Sequence, residues 1–359
     1  MGLAQTYLCR TVTDSQRRTW PRLHLPARCL LCPLMVEDQR TQIWKRIAAA
    51  IGIAALYSVL CYFLIDWLRP DSGYVTATFA LIQPAVICAF VAYIGDPLGV
   101  RKLRFYLLVP VALAVGMVMI AAIFLQEGVI CIVMLTPIWL ISGEVGSFLV
   151  YKLRPDRPDM IEDAADTFRA SVLLLIPLVL MPLEQQLAVP VDRYTVSRSI
   201  EIESTREDIW QMMQTIPALG EGEGAWNITQ DMVGVPRPIR AQLVGEGKGA
   251  VRMAEWGQNI AFQERITDWQ AGERIHWDFE FPDNGGWDFT DRHLRPDSTY
   301  MRIETGGYAL EELDSGQYRL TLATTYAAQT HFNFYAAWWG ELFLGDIQTK
   351  MLAAIRTLA

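Results

Sequence analysis

Between Ile47 and Val150 the chain alternates long apolar runs with short polar breaks. The runs are Ile47–Leu68, Thr76–Ile94, Tyr106–Leu125 and Val129–Val150, each near the roughly 20 residues that a helix needs to cross a bilayer core. Four such runs in succession, almost without charge, predict membrane-spanning helices rather than buried core helices. A fifth stretch, Ser171–Val191, reads "SVLLLIPLVLMPLEQQLAVPV". At ~1.5 Å per residue it is long enough to cross, although Pro177 and Pro182 interrupt it and only its first thirteen residues lack strongly polar side chains. It reads as a fifth crossing, with a re-entrant or interfacial segment as the alternative. The expectation is a bundle of about five helices over residues 41–191.

Past that stretch the period changes. "TVSRSIEIE" alternates, with Val196, Ile200 and Ile202 on one face, and reads as a strand. "STRE" then has the form of a capping box, with Ser204 capping the amide three residues on and Glu207 reaching back. A short helix follows, offering Ile209, Trp210 and Met213 as its buried face. Further strands are separated by turns at Gly257-Gln258-Asn259, at "QAGE" and at Asp314-Ser315-Gly316. The chain ends in one long helical run, in which Phe332, Tyr335, Trp339, Phe343, Ile347, Met351 and Ile355 recur at helical spacing. Residues 192–359 therefore predict an α+β domain whose antiparallel strands curl around that last helix.

Charge divides at the same place. Residues 1–191 carry 16 Lys and Arg against 14 Asp and Glu, and residues 192–359 carry 15 against 25. The acidic second part argues against nucleic acid and against docking on anionic lipid through a basic face. Basic residues are also uneven among the loops. Arg40, Lys45 and Arg46 precede the first run, Arg101, Lys102 and Arg104 follow the second, and Lys152, Arg154, Arg157 and Arg169 follow the fourth. The other two loops hold only Arg69. The positive-inside rule puts the basic loops and the N-terminus in the cytoplasm. If the fifth segment crosses, the second domain lies outside, which for a bacterial inner membrane is the periplasm.

The first forty residues read as a disordered basic extension, or as sequence upstream of a true start at Met35. All six cysteines lie in the first part. Cys29-x-x-Cys32 has no second pair, and a structural zinc site needs about four ligands. Glu144, in "ISGEVGS", lies within the fourth run. Gly143 and Gly146 beside it point to close helix packing, with transport as the alternative.

Catalytic chemistry is sparse in the second part. His276, His293 and His331 share no metal-ligand spacing. No nucleophile elbow, phosphate loop or cofactor motif occurs. Asp283, Asp288 and Asp291 cluster in "FPDNGGWDFTDRH" but lack the alternation and closing Glu of a calcium loop, so a solvated loop is expected. Glu264 reads either as an acid/base in a cavity or as a strand residue that faces solvent or pairs with an Arg.

Residues 194–359 resemble the START-like (SRPBCC) superfamily of polyketide cyclase and lipid-transfer type. The resemblance rests on "VSRSIEIESTREDIWQMM", on "GEGKGAVRMAEWGQNIAFQERITDWQAGERIHWDF" and on the final helix. Trp210 matches the Trp near the second turn of the family's first helix. Gly247 and Gly249 match its Gly-x-Gly, and Glu264 and Ile266 its Glu-x-Ile. Ser204-Thr205 stands where the family has a proline.

The resemblance implies a helix-grip fold, a curved antiparallel sheet around a long C-terminal helix, with a cavity for apolar or amphipathic ligands between them. The expected lining is aromatic, apart from Glu264: Trp226, Trp256, Phe262, Trp277 and Phe279, then Tyr308, Tyr326, Tyr335, Trp338 and Trp339. The function implied is binding of a hydrophobic small molecule or lipid at a membrane, with no cofactor and no metal. The alternatives are a cyclase- or hydrolase-type enzyme using Glu264 or His276, and a sensor coupled to the membrane helices. The connection "EQQLAVPVDRY" reaches under about 40 Å at about 3.6 Å per residue, so the domain stays near the bilayer. The aromatic start of the last helix, "THFNFYAAWW", is the expected cavity mouth, facing the outer leaflet.

Overall fold

A computed structural model describes residues 31–68, 76–96, 99–125, 129–153, 170–220, 224–283, 286–287 and 295–359. The chain divides into two compact units, Met1–Lys45 and Arg46–Ala359. Residues 1–30, most of the expected extension, lie outside the described residues. Residues 31–40, expected to be disordered, are helical and belong to helix α1, Leu31–Leu68.

Helix α2 spans Thr78–Gly95, with a π-helical first turn at Thr78–Ile82. Helix α3 is Leu103–Ile120, continued by a π-helical turn at Ala121–Leu125. Helix α4 is Val129–Leu153. Four helices, α1 to α4, are long and apolar enough to cross a membrane.

The expected fifth helix of membrane-crossing length is corrected. Its apolar helix, Ala170–Glu184, is short, with helix α5 at Leu175–Glu184 as its regular part. Gln185 and Gln186 end the apolar run, and Pro190 restricts the residue before it to extended backbone. Strand β1 begins at Val191. The Glu184 side chain is used locally, accepting from the backbone N–H groups of Ala77 and Thr78 (2.8 Å to the latter) at the start of α2. Those amides have no partner inside the helix, and the helix dipole favours a carboxylate there.

Small residues set the bundle packing. A Cβ at Gly146 would lie 1.9 Å from the Ala85 carbonyl oxygen, and one at Gly143 2.7 Å from Cys88 Sγ. Helix α4 can therefore lie against α2 only with glycine at these positions. Ser147 adds a 2.7 Å hydrogen bond to the Tyr106 carbonyl of α3. The segment 170–184 packs lengthwise on this bundle. Ala170 and Leu174 are buried with Ala50, Ala54 and Val109, whereas Met181 packs with Tyr62 and Phe79.

The second domain is a seven-stranded antiparallel sheet in the order β1-β7-β6-β5-β4-β3-β2. Its strands are β1 Val191–Ile202, β2 Pro238–Val244, β3 Val251–Trp256, β4 Ile260–Gln270, β5 Arg274–Glu280, β6 Met301–Glu312 and β7 Tyr318–Gln329. Register shifts at Pro238/Arg240, Ile266/Asp268 and Ile303/Thr305 curl the sheet. The three-residue β3–β4 turn, between paired Trp256 and Ile260, places Gln258 and Asn259 at left-handed φ of 63° and 60°.

Helix α6, Arg206–Gln214, is capped by Thr205 and not by Ser204. The Asp208 amide donates to the Thr205 hydroxyl at 3.1 Å, and the Ser204 hydroxyl donates instead to the Ala359 carbonyl. The cap thus moves one residue on, because the last helix offers Ser204 a competing acceptor. Helix α7, Ile228–Asp231, is tied to helix α8, Asn333–Leu358, through the Asp346 carboxylate, which accepts from the Thr229 amide and hydroxyl. The sheet is wrapped around α8. Their shared core is filled at one end by Ile209 and Met213 of α6, Ile275 and Leu320 of the sheet, and Leu352 and Ile355 of α8.

Candidate functional site

Toward the start of α8 the same space is hollow. A cavity of about 230 Å³ lies between the concave face of the sheet, helix α8 from Phe332 to Met351, and the first turns of α4. Gly340 permits the close approach of α8, since a Cβ there would meet the Tyr326 hydroxyl at 2.0 Å. Along β4, Ile260, Phe262, Glu264 and Ile266 point inward in alternation, and Ala261 and Arg265 point out.

Of the residues expected from sequence, Trp256, Phe262, Glu264, Trp277, Phe279, Tyr308, Tyr326, Tyr335 and Trp339 line this cavity. Trp256, Phe262 and Phe279 form one aromatic wall, with ring centroids 5.7 and 5.8 Å apart along the series. Trp277 and Tyr308 form another at 5.4 Å. Trp226 and Trp338 stand outside, 71% and 58% exposed. Their helical or loop positions turn the rings away from the sheet.

Among the lining residues not expected from sequence, two groups matter most to the site. One is Arg252, buried on β3 directly opposite Glu264 on β4 and ion-paired to it. Its Nε donates to the Gln214 carbonyl at 3.1 Å, and its guanidinium lies 5.7 Å from the ring centres of Trp277 and Tyr308. Its parity with Ala254 on β3, and with Ala250 just before the strand, was the available signal. The other is the α4 set, Ile130, Cys131, Met134 and Leu135, for which a single strand-and-helix pattern carries no signal.

Burial governs the electrostatics. It pushes the Glu264 carboxyl up from its ordinary value, against the pull of Arg252. Arg252 keeps its charge, since guanidinium does not deprotonate in proteins. Burial also pushes the Tyr308 and Tyr326 hydroxyls up to about 12, so both stay neutral donors. Among the lining residues, Trp277 Nε1, Trp339 Nε1, the Tyr326 hydroxyl, Gln348 Oε1 and one Nη of Arg252 are buried with no hydrogen-bond partner among the described residues. Gln348 Nε2 is committed to the Val196 carbonyl and the Thr324 hydroxyl, both at 3.0 Å, which fixes its oxygen on the other side. An apolar cavity with a few open polar atoms suits an amphipathic molecule.

His276 is exposed on the outer face of β5 and does not reach the cavity, which corrects its assignment as an alternative catalytic residue. Asp288, Asp291 and His293 lie outside the described residues. No cluster of three or more His, Cys, Asp or Glu placed to hold a metal occurs among the described residues. His331 sits at the junction with the bundle, its Nδ1 2.9 Å from Glu184 Oε1.

The start of α8 abuts the bundle. Phe332 is buried with Ile138 and Ala80, and the Tyr335 hydroxyl donates to the Met134 carbonyl of α4. The expected mouth thus meets helix α4, because its aromatic face is covered by the ends of α2 and α4.

No protein-family model matches the chain, and no curated protein matches it. Among solved structures it is similar to truncated norcoclaurine synthase from Thalictrum flavum, at 13% identity and TM-score 0.30, over 48% of this chain and 96% of that one. It is also similar to the ZhuI aromatase/cyclase from Streptomyces sp. R1128, at 12% identity and TM-score 0.28, over 46% and 93%. Protein Ms6760 from Mycobacterium smegmatis is similar at 16% identity and TM-score 0.28, over 47% and 96%. At these values the likenesses assign no activity to this chain.

Proposed function

We propose that residues 191–359 bind a hydrophobic small molecule or lipid in the cavity, held at a membrane by the helices before them. The observation that carries this reading is the apolar, aromatic-walled hollow with its open polar atoms, Trp277 Nε1, the Tyr326 hydroxyl and Gln348 Oε1 among them. Buried polar groups are costly unless a partner meets them, and a bound amphiphile supplies one. Binding is favoured over catalysis because Glu264 is already engaged by Arg252. Native mass spectrometry of the full chain, extracted with its native lipids, tests the reading. A retained adduct of a few hundred daltons is the expected result; a bare chain under conditions that preserve the fold contradicts it.

The segment 170–184 supports a further part of the reading, that it completes a passage across the bundle although its helix is short. It runs lengthwise on the bundle, from Ala170 buried with Ala50 and Ala54 to Met181 packed with Tyr62 and Phe79. With the basic loops inside, the second domain is then outside the cytoplasm. Alkaline phosphatase fused after Val191 is expected to be active, and fused after Arg154 inactive. Activity in the reverse pattern contradicts this topology.

A second reading, a ligand sensor, is favoured by the link from His331 through Glu184 to the first amides of α2. Hydrogen exchange at the start of α2 would then change on ligand loading in the wild type and not in His331→Ala. Equal changes in both speak against the link.

A further inference from the structure

Helix α4 has a second hollow behind it. A cavity of about 200 Å³ lies within the bundle, walled by α1, α2, α3 and α4. Cys131 and Leu135 line both this cavity and the one in the second domain. Ile130 and Met134 face only the domain cavity, and Ile132, Thr136 and Trp139 only the bundle cavity. The two hollows therefore share side chains of one helix.

The bundle cavity has its own open polar atoms. Gln83, 5% exposed on α2, has its Oε1 without a partner among the described residues, and so does Trp139 Nε1 on α4. Two hydroxyls along its wall are satisfied, Ser58 by the Ala54 carbonyl and Thr136 by the Ile132 carbonyl. One open atom is an acceptor and the other a donor, and a hydroxyl group can meet both. The domain cavity offers the same pair of needs through Trp277 Nε1 and Gln348 Oε1.

The bundle cavity also reaches the outside of the bundle. Ile51 on α1 is part of its wall and is 38% exposed, and Ala112 on α3 is a wall residue that is likewise exposed. In a membrane that surface is lipid. Beside it, a Cβ at Gly116 would meet no atom within 4 Å.

We infer that the bundle cavity is a lateral entry site for a long-chain or polycyclic alcohol, which passes from the bilayer along the Cys131–Leu135 face of α4 into the domain cavity. This rests on the binding function proposed above and names its ligand class and route. Passage needs only side-chain rotation of Cys131 and Leu135, both small or flexible enough to move within a helix.

The probe is a diazirine-bearing farnesol, presented to the full-length protein either in liposomes or in detergent solution. After photolysis, labelled peptides are mapped by mass spectrometry. In liposomes the wild type is expected to carry label both around Gln83 and Trp139 and around Trp277 and Gln348. Gly116→Phe fills the bundle cavity and is expected to abolish labelling of the domain from liposomes while leaving it intact in detergent, where the domain is reached directly. Gln83→Leu keeps the volume and removes the acceptor, so it tests the site if Gly116→Phe does not fold; it is expected to lose label in the bundle. Wild-type labelling of the domain in Gly116→Phe liposomes overturns the route and leaves binding standing. Equal labelling by the matching hydrocarbon without its hydroxyl overturns the ligand class. Absence of label from the domain in both liposomes and detergent overturns the binding function as well.

Discussion

The space between α8 and the sheet is filled at one end and hollow at the other, though one helix and one sheet build both. At the filled end α6 inserts Ile209 and Met213 between Leu352, Ile355 and the strands. At the hollow end no helix of the domain takes that place among the described residues, and the first turns of α4 close the space from outside. The aromatic rings there stand against one another along the walls and leave the middle open. Protein interiors rarely keep voids larger than a water molecule. The open end is the room that the proposed binding function requires.

The largest effect is expected at the hollow end, from the buried Arg252–Glu264 pair. Arg252→Ala strands the Glu264 carboxylate and is expected to cost about 3–5 kcal/mol in denaturant unfolding. The double variant Arg252→Met, Glu264→Leu is expected to recover most of that loss. If Arg252→Ala alone is neutral, the pair is not buried in solution.

Next come two truncations on the same face of α8. Leu352→Ala, at the filled end, is expected to cost about 3 kcal/mol, because it opens a cavity in close packing. Ile347→Ala, at the hollow end, removes atoms that already lack neighbours on one side, and is expected to cost about 1 kcal/mol. Equal costs would show that the hollow end is packed after all.

A smaller effect concerns the outside of the hollow end. Phe334 is 75% exposed and, like Trp338, lies on the turns of α8 that adjoin the bundle. Aromatic rings in that position favour the interfacial layer of a membrane. Trp338→Ala is expected to change stability by less than about 0.5 kcal/mol and to reduce quenching of tryptophan fluorescence by brominated lipids. Undiminished quenching would place this face in water.

The smallest effect is in pH. The Asn227 amide, with Lys350 and Arg237, holds the Asp231 carboxyl below its ordinary value. A carboxyl lowered on folding stabilises the fold above its unfolded value of about 3.9, and the contribution is lost as pH falls through and below it. Melting temperature is expected to fall with acidification in this window, slightly more steeply in the wild type than in Asp231→Asn. Identical slopes would remove Asp231 from the account.

Much of the domain was legible because period-2 alternation and turn residues are local. "SIEIE", the Gln258-Asn259 turn and the apolar stripe of α8 all state their structure within a few residues. Glu264 was visible as a charge at an inward position of β4, and its partner was not, since pairing with Arg252 depends on cross-strand register. The cap at Thr205 was misplaced by one residue because the competitor for Ser204, the Ala359 carbonyl, is 155 positions away. Segment 171–191 was counted as a full crossing from hydrophobicity alone, whereas Gln185, Gln186 and Pro190 end its helix early. The wall that α4 gives to the cavity could not be read at all, because it exists only once two separately patterned regions dock.

The central claim is that the hollow end holds a hydrophobic ligand, and an experimental structure of the full chain crystallised from a lipid mesophase tests it most directly. The account predicts elongated density between α8 and the sheet, with a polar end within hydrogen-bond distance of Trp277 Nε1, the Tyr326 hydroxyl or Gln348 Oε1. Side chains collapsed into that space, or ordered water alone filling it, would contradict the account.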